Sequence, residues 1–402
     1  MKRLVNLLLW SVIAAAFIGP GTVTTCARAG SDFGFALAWA LLFSTVACIV
    51  LQEAAGRITV LTGHELGTAI RQRYAAPARL GWVPALLAAG IVLGCAAFQA
   101  GNLLGAVAGV RLVADLPPAL LAAVCGVGAA ALLATGSTRW IATVLGALVA
   151  VMGVAFLATA VRLAPDAREL LNGLLIPRIP GASVVLVLGL VGTTVVPYNL
   201  FLGSALARGS GLGEMRWGLM LAVGGGGFIS LGVLVVGTAL GGGLEYERLG
   251  AVLGERLGSG AEASLAVGLF AAGFSSAITA PLAAAITART LVGGAERPEW
   301  SERSPRFRAV WLGVLLFGVG FGIAGVQPIP VIILAQAFNG LLLPMVALFL
   351  WLTMNDRRLL GEHGVNTRLQ NLLMGVVVVA CVALGLRGLA AAAASAVAIL
   401  GG

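Results

Sequence analysis

Long apolar stretches alternate with short charged ones along the whole chain. Stretches free of Asp, Glu, Lys, Arg and His cover residues 4–27, 33–52, 80–110, 116–138, 140–161, 179–207, 217–244, 263–288, 309–355 and 369–386. A helix rises 1.5 Å per residue, so about 20 apolar residues cross the hydrocarbon of a bilayer. The stretch 309–355 is more than twice that length and carries Gly-Val-Gln-Pro-Ile-Pro at 325–330. It reads as two helices joined by a turn. The last stretch extends past Arg387 into Ala-rich sequence. The pattern predicts an all-α polytopic membrane protein of eleven spans, with one transporter-like domain over 1–402.

Two spans are interrupted by polar residues. The first carries Ile-Gly-Pro-Gly-Thr-Val-Thr-Thr at 18–25, the sixth Gly-Thr-Thr-Val-Val-Pro-Tyr-Asn at 192–199. Each break opens a set of five spans, so the chain divides into a first repeat at about 4–161 and a second at about 179–355. An extra helix follows at about 367–390. Five is odd, so the second half is inverted in the membrane. Broken helices at matching positions of two halves point to a mid-membrane substrate site in a secondary transporter. Irregular backbone is tolerated at that depth only where it is buried in protein or lines a cavity.

Composition narrows the class further. The chain is 59% hydrophobic and 10% charged, against roughly 25% charged in soluble domains. The net charge of +9 rests on arginines between apolar segments, with Lys2 the one lysine. No nucleic-acid partner is expected; the surrounding partner is the lipid bilayer. Lys2 and Arg3 could open a signal peptide, but the apolar run continues to Ala27, which favours a retained helix. Most arginines, among them Arg57, Arg71, Arg208, Arg289, Arg357 and Arg368, fall on one side. The positive-inside rule then places the N-terminus in the cytoplasm and the C-terminus outside, the expected location being a bacterial inner membrane. Cys26, Cys48, Cys95, Cys125 and Cys381 show no paired spacing and read as buried free thiols. No nucleotide loop or nucleophile motif occurs, so neither a cofactor nor catalysis is expected.

Several runs resemble the Nramp family of proton-coupled divalent-metal importers. GPGTVTTCARAGSDFGFALAWALL (19–42) is similar to the family's first helix and the start of its second. LQEAAGRITVLTGHELGTAIR (51–71), VVPYNLFLGSALARG (195–209), LFAAGFSSAITAPLAAAI (269–286) and LAQAFNGLLLPMVALFL (334–350) resemble later segments. The resemblance implies a leucine-transporter-type fold with a 5+5 inverted repeat and broken helices 1 and 6. It also exposes departures. Where the family's first helix carries Asp-Pro-Gly-Asn, whose Asp and Asn ligate metal, this chain has Gly19, Pro20, Gly21 and Thr22. Where its sixth carries Ala-Thr-Val-Met-Pro-His-Asn, this chain has Thr193, Thr194, Val195, Val196, Pro197, Tyr198 and Asn199. The metal-ligating side chains are gone and the hinges remain.

A soft metal needs thioether, thiolate or imidazole ligands, and a hard one needs carboxylates. None of the charge-free segments contains Asp, Glu or His; His64 and His363 fall in loops. No metal site is expected. Helix starts expose N–H groups and carry about half a positive charge. Two starts meeting at the breaks suit a small anion. The expected substrate-binding residues are Gly19, Pro20, Gly21, Thr22, Val23, Thr24, Thr193, Thr194, Val196, Tyr198 and Asn199, with Gln99 and Gln336 from other spans. Bicarbonate is favoured, since it is small and both donates and accepts hydrogen bonds; the chain also resembles a Nramp-related branch of bicarbonate transporters. A divalent cation held through its waters, magnesium above all, and a small carboxylate or amino acid stay open. Ser275 and Ser276 are candidates for a coupling ion. Glu53 and Arg57, four apart, read as a surface ion pair with gating as the sharper alternative.

Overall fold

The computed structural model describes residues 18–74, 81–135, 139–294 and 297–400. The expected start of the first span, 4–17, and the N-terminal residues before it lie outside the described residues. The helices in order are α1 (Pro20–Phe33), α2 (Ala38–Thr62), α3 (Leu66–Tyr74), α4 (Val83–Arg111), α5 (Pro118–Thr135), α6 (Arg139–Leu163), α7 (Ala167–Leu175) and α8 (Val184–Thr194). They continue as α9 (Pro197–Leu206), α10 (Leu212–Thr238), α11 (Tyr246–Leu257), α12 (Ser259–Ala288), α13 (Pro305–Ile323), α14 (Pro328–Met354), α15 (Arg357–Gly364) and α16 (Arg368–Leu400). Among the described residues, 10 stretches are long and apolar enough to cross a membrane, α8 and α9 together forming one of them. With α1, which continues the first apolar segment, they match the eleven spans expected. This is an integral membrane protein.

Small residues let the spans approach closely, as is usual where lipid removes the hydrophobic drive between helices. The most extensive pairing joins α4 and α12. There Gly273 lies against the α4 backbone, where an added Cβ would stand 2.5 Å from the Ala106 nitrogen. On the other side of the breaks, α8 packs on α14. A Cβ on Gly192 would fall on the Gln336 carbonyl, and one on Gly340 on the Leu188 carbonyl. All five cysteines are buried and free.

Several expectations change. Span two runs on to Thr62 through Glu53 and Arg57, where a charge-free criterion stops it. Arg57 is only 5% exposed, so its pair with Glu53 at 3.3 Å is not a surface pair. Glu53 also receives Arg216 of α10 at 2.7 Å. Pro84 sits in the first turn of α4, whereas Pro281 and Pro344 lie inside α12 and α14. The glycine run 224–227 is helical within α10; Gly227 packs closely on Thr45, while Gly224 and Gly225 face open space. The short amphipathic helices α3, α7, α11 and α15 fall outside the pattern of charge-free segments. Asp166 and Asp356 cap α7 and α15 through side-chain bonds to backbone N–H groups.

Candidate functional site

The sixth span breaks and restarts on proline, and among the described residues the first span shows a helix start on proline at the expected place. Gly19 is extended (φ −93°, ψ 176°) and α1 begins at Pro20. In the sixth span, α8 ends at Thr194, Val196 is extended (φ −77°, ψ 121°), and α9 begins at Pro197. Proline has no N–H to lose and its fixed φ suits a helix's first position. Neither N-cap residue supplies a side-chain cap. Thr22 N–H bonds back to Gly19 O at 3.1 Å, and Asn199 N–H to Val196 O at 3.0 Å. Each end therefore presents one open backbone donor, Gly21 N–H and Tyr198 N–H, rather than a full turn of donors.

The two breaks touch. Thr22 Oγ1 lies 3.1 Å from Thr193 Oγ1, with both residues buried. Gln336 of α14 reaches the same place: a Cβ on Gly21 would fall on its side-chain amide. Only glycine at 21 admits that contact. Ser276 of α12 approaches from the opposite side, its Oγ 3.6 Å from where a Gly19 Cβ would stand. Gln336 Oε1 and both amide atoms of Asn199 are buried without a hydrogen-bond partner. Each such group costs about 1–3 kcal/mol unless a ligand or an ordered water satisfies it; Gln99 Oε1, Asn102 Nδ2 and Asn339 Nδ2 are left without a partner in the same way. No group of three His, Cys, Asp or Glu residues gathers among the described residues.

Other expected site residues are placed elsewhere. Gln99 donates to Ala277 O at 3.1 Å, tying α4 to α12 rather than reaching the breaks. Tyr198 buries its ring edge-on against Phe98 of α4 (centroids 5.5 Å apart). Thr194 Oγ1 donates to Leu190 O, and Ser275 Oγ to Ala272 O. Both hydroxyls are spent on their own helix turn. Val23 and Val196 are buried apolar wall. Of the two serines offered for a coupling ion, only Ser276 faces the break.

Thr24 takes a different part. Its Oγ1 donates to Pro20 O at 2.6 Å, so its one hydroxyl proton is used. The 2.6 Å contact with Tyr246 must then be a bond donated by the tyrosine. Burial pushes the Tyr246 phenol pKa up, which keeps that donor protonated at neutral pH. Tyr246 opens α11 and lines a cavity of about 500 Å³ with Arg111, Glu245, Glu247 and Gln327. Its hydroxyl joins this cavity's lining to Thr24 in the second turn of α1. The preceding Gly241, Gly242 and Gly243 all have positive φ (67°, 115° and 71°), a backbone suited to a hinge. Sequence reasoning missed Tyr246, which lies 222 residues from its partner in a charged loop with no local pattern. Tyr246→Phe removes one buried hydrogen bond, worth about 1 kcal/mol. The expected result is roughly fivefold faster labelling, by a membrane-impermeant thiol reagent, of a cysteine introduced at position 22 in a background lacking the native cysteines. Unchanged labelling would mean that Tyr246 does not restrict access to Thr22.

Comparison with known proteins agrees with this geometry. The sequence profile described as natural resistance-associated macrophage protein-like, Nramp, matches residues 11–391. The divalent metal cation transporter MntH of Deinococcus radiodurans is 28% identical over 358 residues, covering 84% of this chain and 78% of its own length. The manganese transporter of Eremococcus coleocola, in complex with an aromatic bis-isothiourea substituted compound, superposes with a TM-score of 0.74 at 21% identity, covering 96% of this chain and 86% of its own. MhsT in complex with L-phenylalanine superposes at 0.60 with 18% identity, covering 95% and 97%. The chain belongs to the Nramp family of membrane transporters and has the leucine-transporter-type fold, with its two broken helices meeting at Thr22 and Thr193.

Proposed function

We propose that this protein is a secondary transporter of a small monovalent anion, bicarbonate in the first place, bound between the restarted helices α1 and α9. The observation that carries the reading is the contact of Thr22, in the uncapped first turn of α1, with Thr193 at the end of α8, just ahead of the uncapped start of α9, where no group of three His, Cys, Asp or Glu gathers among the described residues. Open N–H groups and the positive ends of two helices favour negative charge. Gly21 N–H and Tyr198 N–H supply donors beside the bonded pair of Thr22 and Thr193 hydroxyls. Gln336 Oε1 and Asn199 Oδ1 are acceptors for the ligand's own O–H. The two inverted halves at about 4–161 and 179–355 would rock about this site, with the helix at 367–390 outside them. The site would work from a bacterial inner membrane with the N-terminus in the cytoplasm.

A second reading is uptake of a divalent cation, and the relatives weigh toward it: MntH is named as a divalent metal cation transporter and the Eremococcus protein as a manganese transporter. Glu245 and Glu247 at the cavity lined by Tyr246 would attract a cation. The hydroxyl and amide oxygens at the breaks could hold one that keeps its waters, as magnesium does. Liposomes carrying the protein separate the two. A step of external bicarbonate is expected to raise internal pH faster than in protein-free vesicles, while a metal-sensitive dye inside stays unchanged. Metal uptake without a bicarbonate response would establish the second reading in place of the first.

A further inference from the structure

We infer that the cleft between α2, α10 and α16 binds the phosphate headgroup of an anionic phospholipid. The cleft holds about 320 Å³ and is two-natured. Ile49, Val50, Leu373 and Met374 form an apolar wall, while Glu53, Arg57, Arg216 and Gln370 close the other end. Two guanidinium groups face one carboxylate, so the polar end carries excess positive charge.

The donors in this cleft are not all used. Arg57 gives Nη2 to Asn366 Oδ1 at 2.5 Å and Nη1 to Gly364 O and Gln370 Oε1 at 3.3 Å. Its Nε stands 3.3 Å from Glu53 Oε2, yet off the line of a hydrogen bond, and this buried N–H has no acceptor. Arg216 spends Nε and Nη2 on Glu53 Oε1. Its Nη1 makes no bond among the described residues, and the side chain is 48% exposed. A buried guanidinium N–H and an exposed one thus line the same cleft. Arginine's fork of donors suits phosphate oxygens.

The position selects a lipid over a free anion. Arg216 lies in the opening turns of α10, and Gln370 in the first turn of α16. Both mark the end of a span, at the level where headgroups sit. Leu369 and Leu372, exposed on α16 beside the cleft, continue the apolar wall outward toward the acyl chains. Basic pockets between spans at this level are suited to acidic headgroups.

The test uses the purified full-length protein in detergent, followed by native mass spectrometry during titration with phosphatidylglycerol, phosphatidylcholine or glycerol phosphate. Phosphatidylglycerol adducts are expected to persist at concentrations where phosphatidylcholine adducts do not. Arg216→Gln is expected to weaken them at least fivefold, and Arg216→Lys to retain most of the binding. Arg57 also anchors the loop at Gly364–Asn366, so it is left intact. Equal phosphatidylglycerol binding by wild type and Arg216→Gln would overturn the assignment. So would retention of glycerol phosphate as tight as that of the lipid, which would leave no role for the apolar wall. The readout is independent of what the protein transports.

Discussion

Thr22→Asp is expected to abolish bicarbonate uptake into proteoliposomes. Its carboxylate would stand where the Thr22 hydroxyl now lies, 3.1 Å from Thr193 Oγ1. Two like charges about 4 Å apart repel by roughly 4 kcal/mol at an effective dielectric constant near 20. At about 1.4 kcal/mol per decade, that is a loss of roughly a thousandfold. Thr22→Val, of similar shape and no charge, separates the two effects: loss of one hydroxyl should cost about tenfold. For a divalent cation the sign reverses, since a carboxylate beside the two hydroxyls adds the anionic ligand the site lacks. Bicarbonate flux unchanged in Thr22→Asp would place the anion elsewhere in the molecule.

Gly192→Val is expected to cost more in stability than any other single change at the site. The new side chain would meet backbone, the Gln336 carbonyl and the Gly340 nitrogen, not a flexible side-chain tip. Overpacking of a close-packed interface typically costs about 1–3 kcal/mol; with backbone on both sides, about 3 kcal/mol or more is expected here. The α8–α14 contact would open and carry Thr193 away from Thr22. A large drop in the detergent melting temperature checks this. Gly225→Val on α10, where no neighbour lies within reach, should leave the melting temperature unchanged. A melting temperature for Gly192→Val equal to wild type would mean that the two helices separate at no cost.

The spans were legible because a membrane forbids unpaired charge over about 20 residues, and the chain obeys that rule. The rule misplaced the end of span two because Glu53 pairs with both Arg57 and Arg216, which lets α2 run on through them. It passed over α11, an amphipathic helix, and α15, which is kinked at Gly361 (φ 68°), because their charged residues disqualify them as spans. The breaks were legible because Gly-Pro-Gly and Val-Pro are local signals. The use of each hydroxyl was not. Thr22, Thr24, Thr25 and Thr194 are chemically alike in sequence, yet Thr25 and Thr194 bond to carbonyls four residues back. Thr24 does the same and also receives Tyr246, while Thr22 reaches Thr193. Which neighbour lies within about 3 Å, the reach of a hydrogen bond, is decided by helix packing, and Gln99 was lost to Ala277 for the same reason.

The nesting of Gln336 in the space left by Gly21 makes the two positions a single unit of inheritance. A methyl group at 21 would expel the glutamine amide, while a shorter residue at 336 would leave Gly21 with nothing to accommodate. Lineages of this transporter should therefore exchange the two together: glycine with glutamine, or a larger residue at 21 with a smaller one at 336. A single exchange made alone should be found only transiently, as the step between those two pairings.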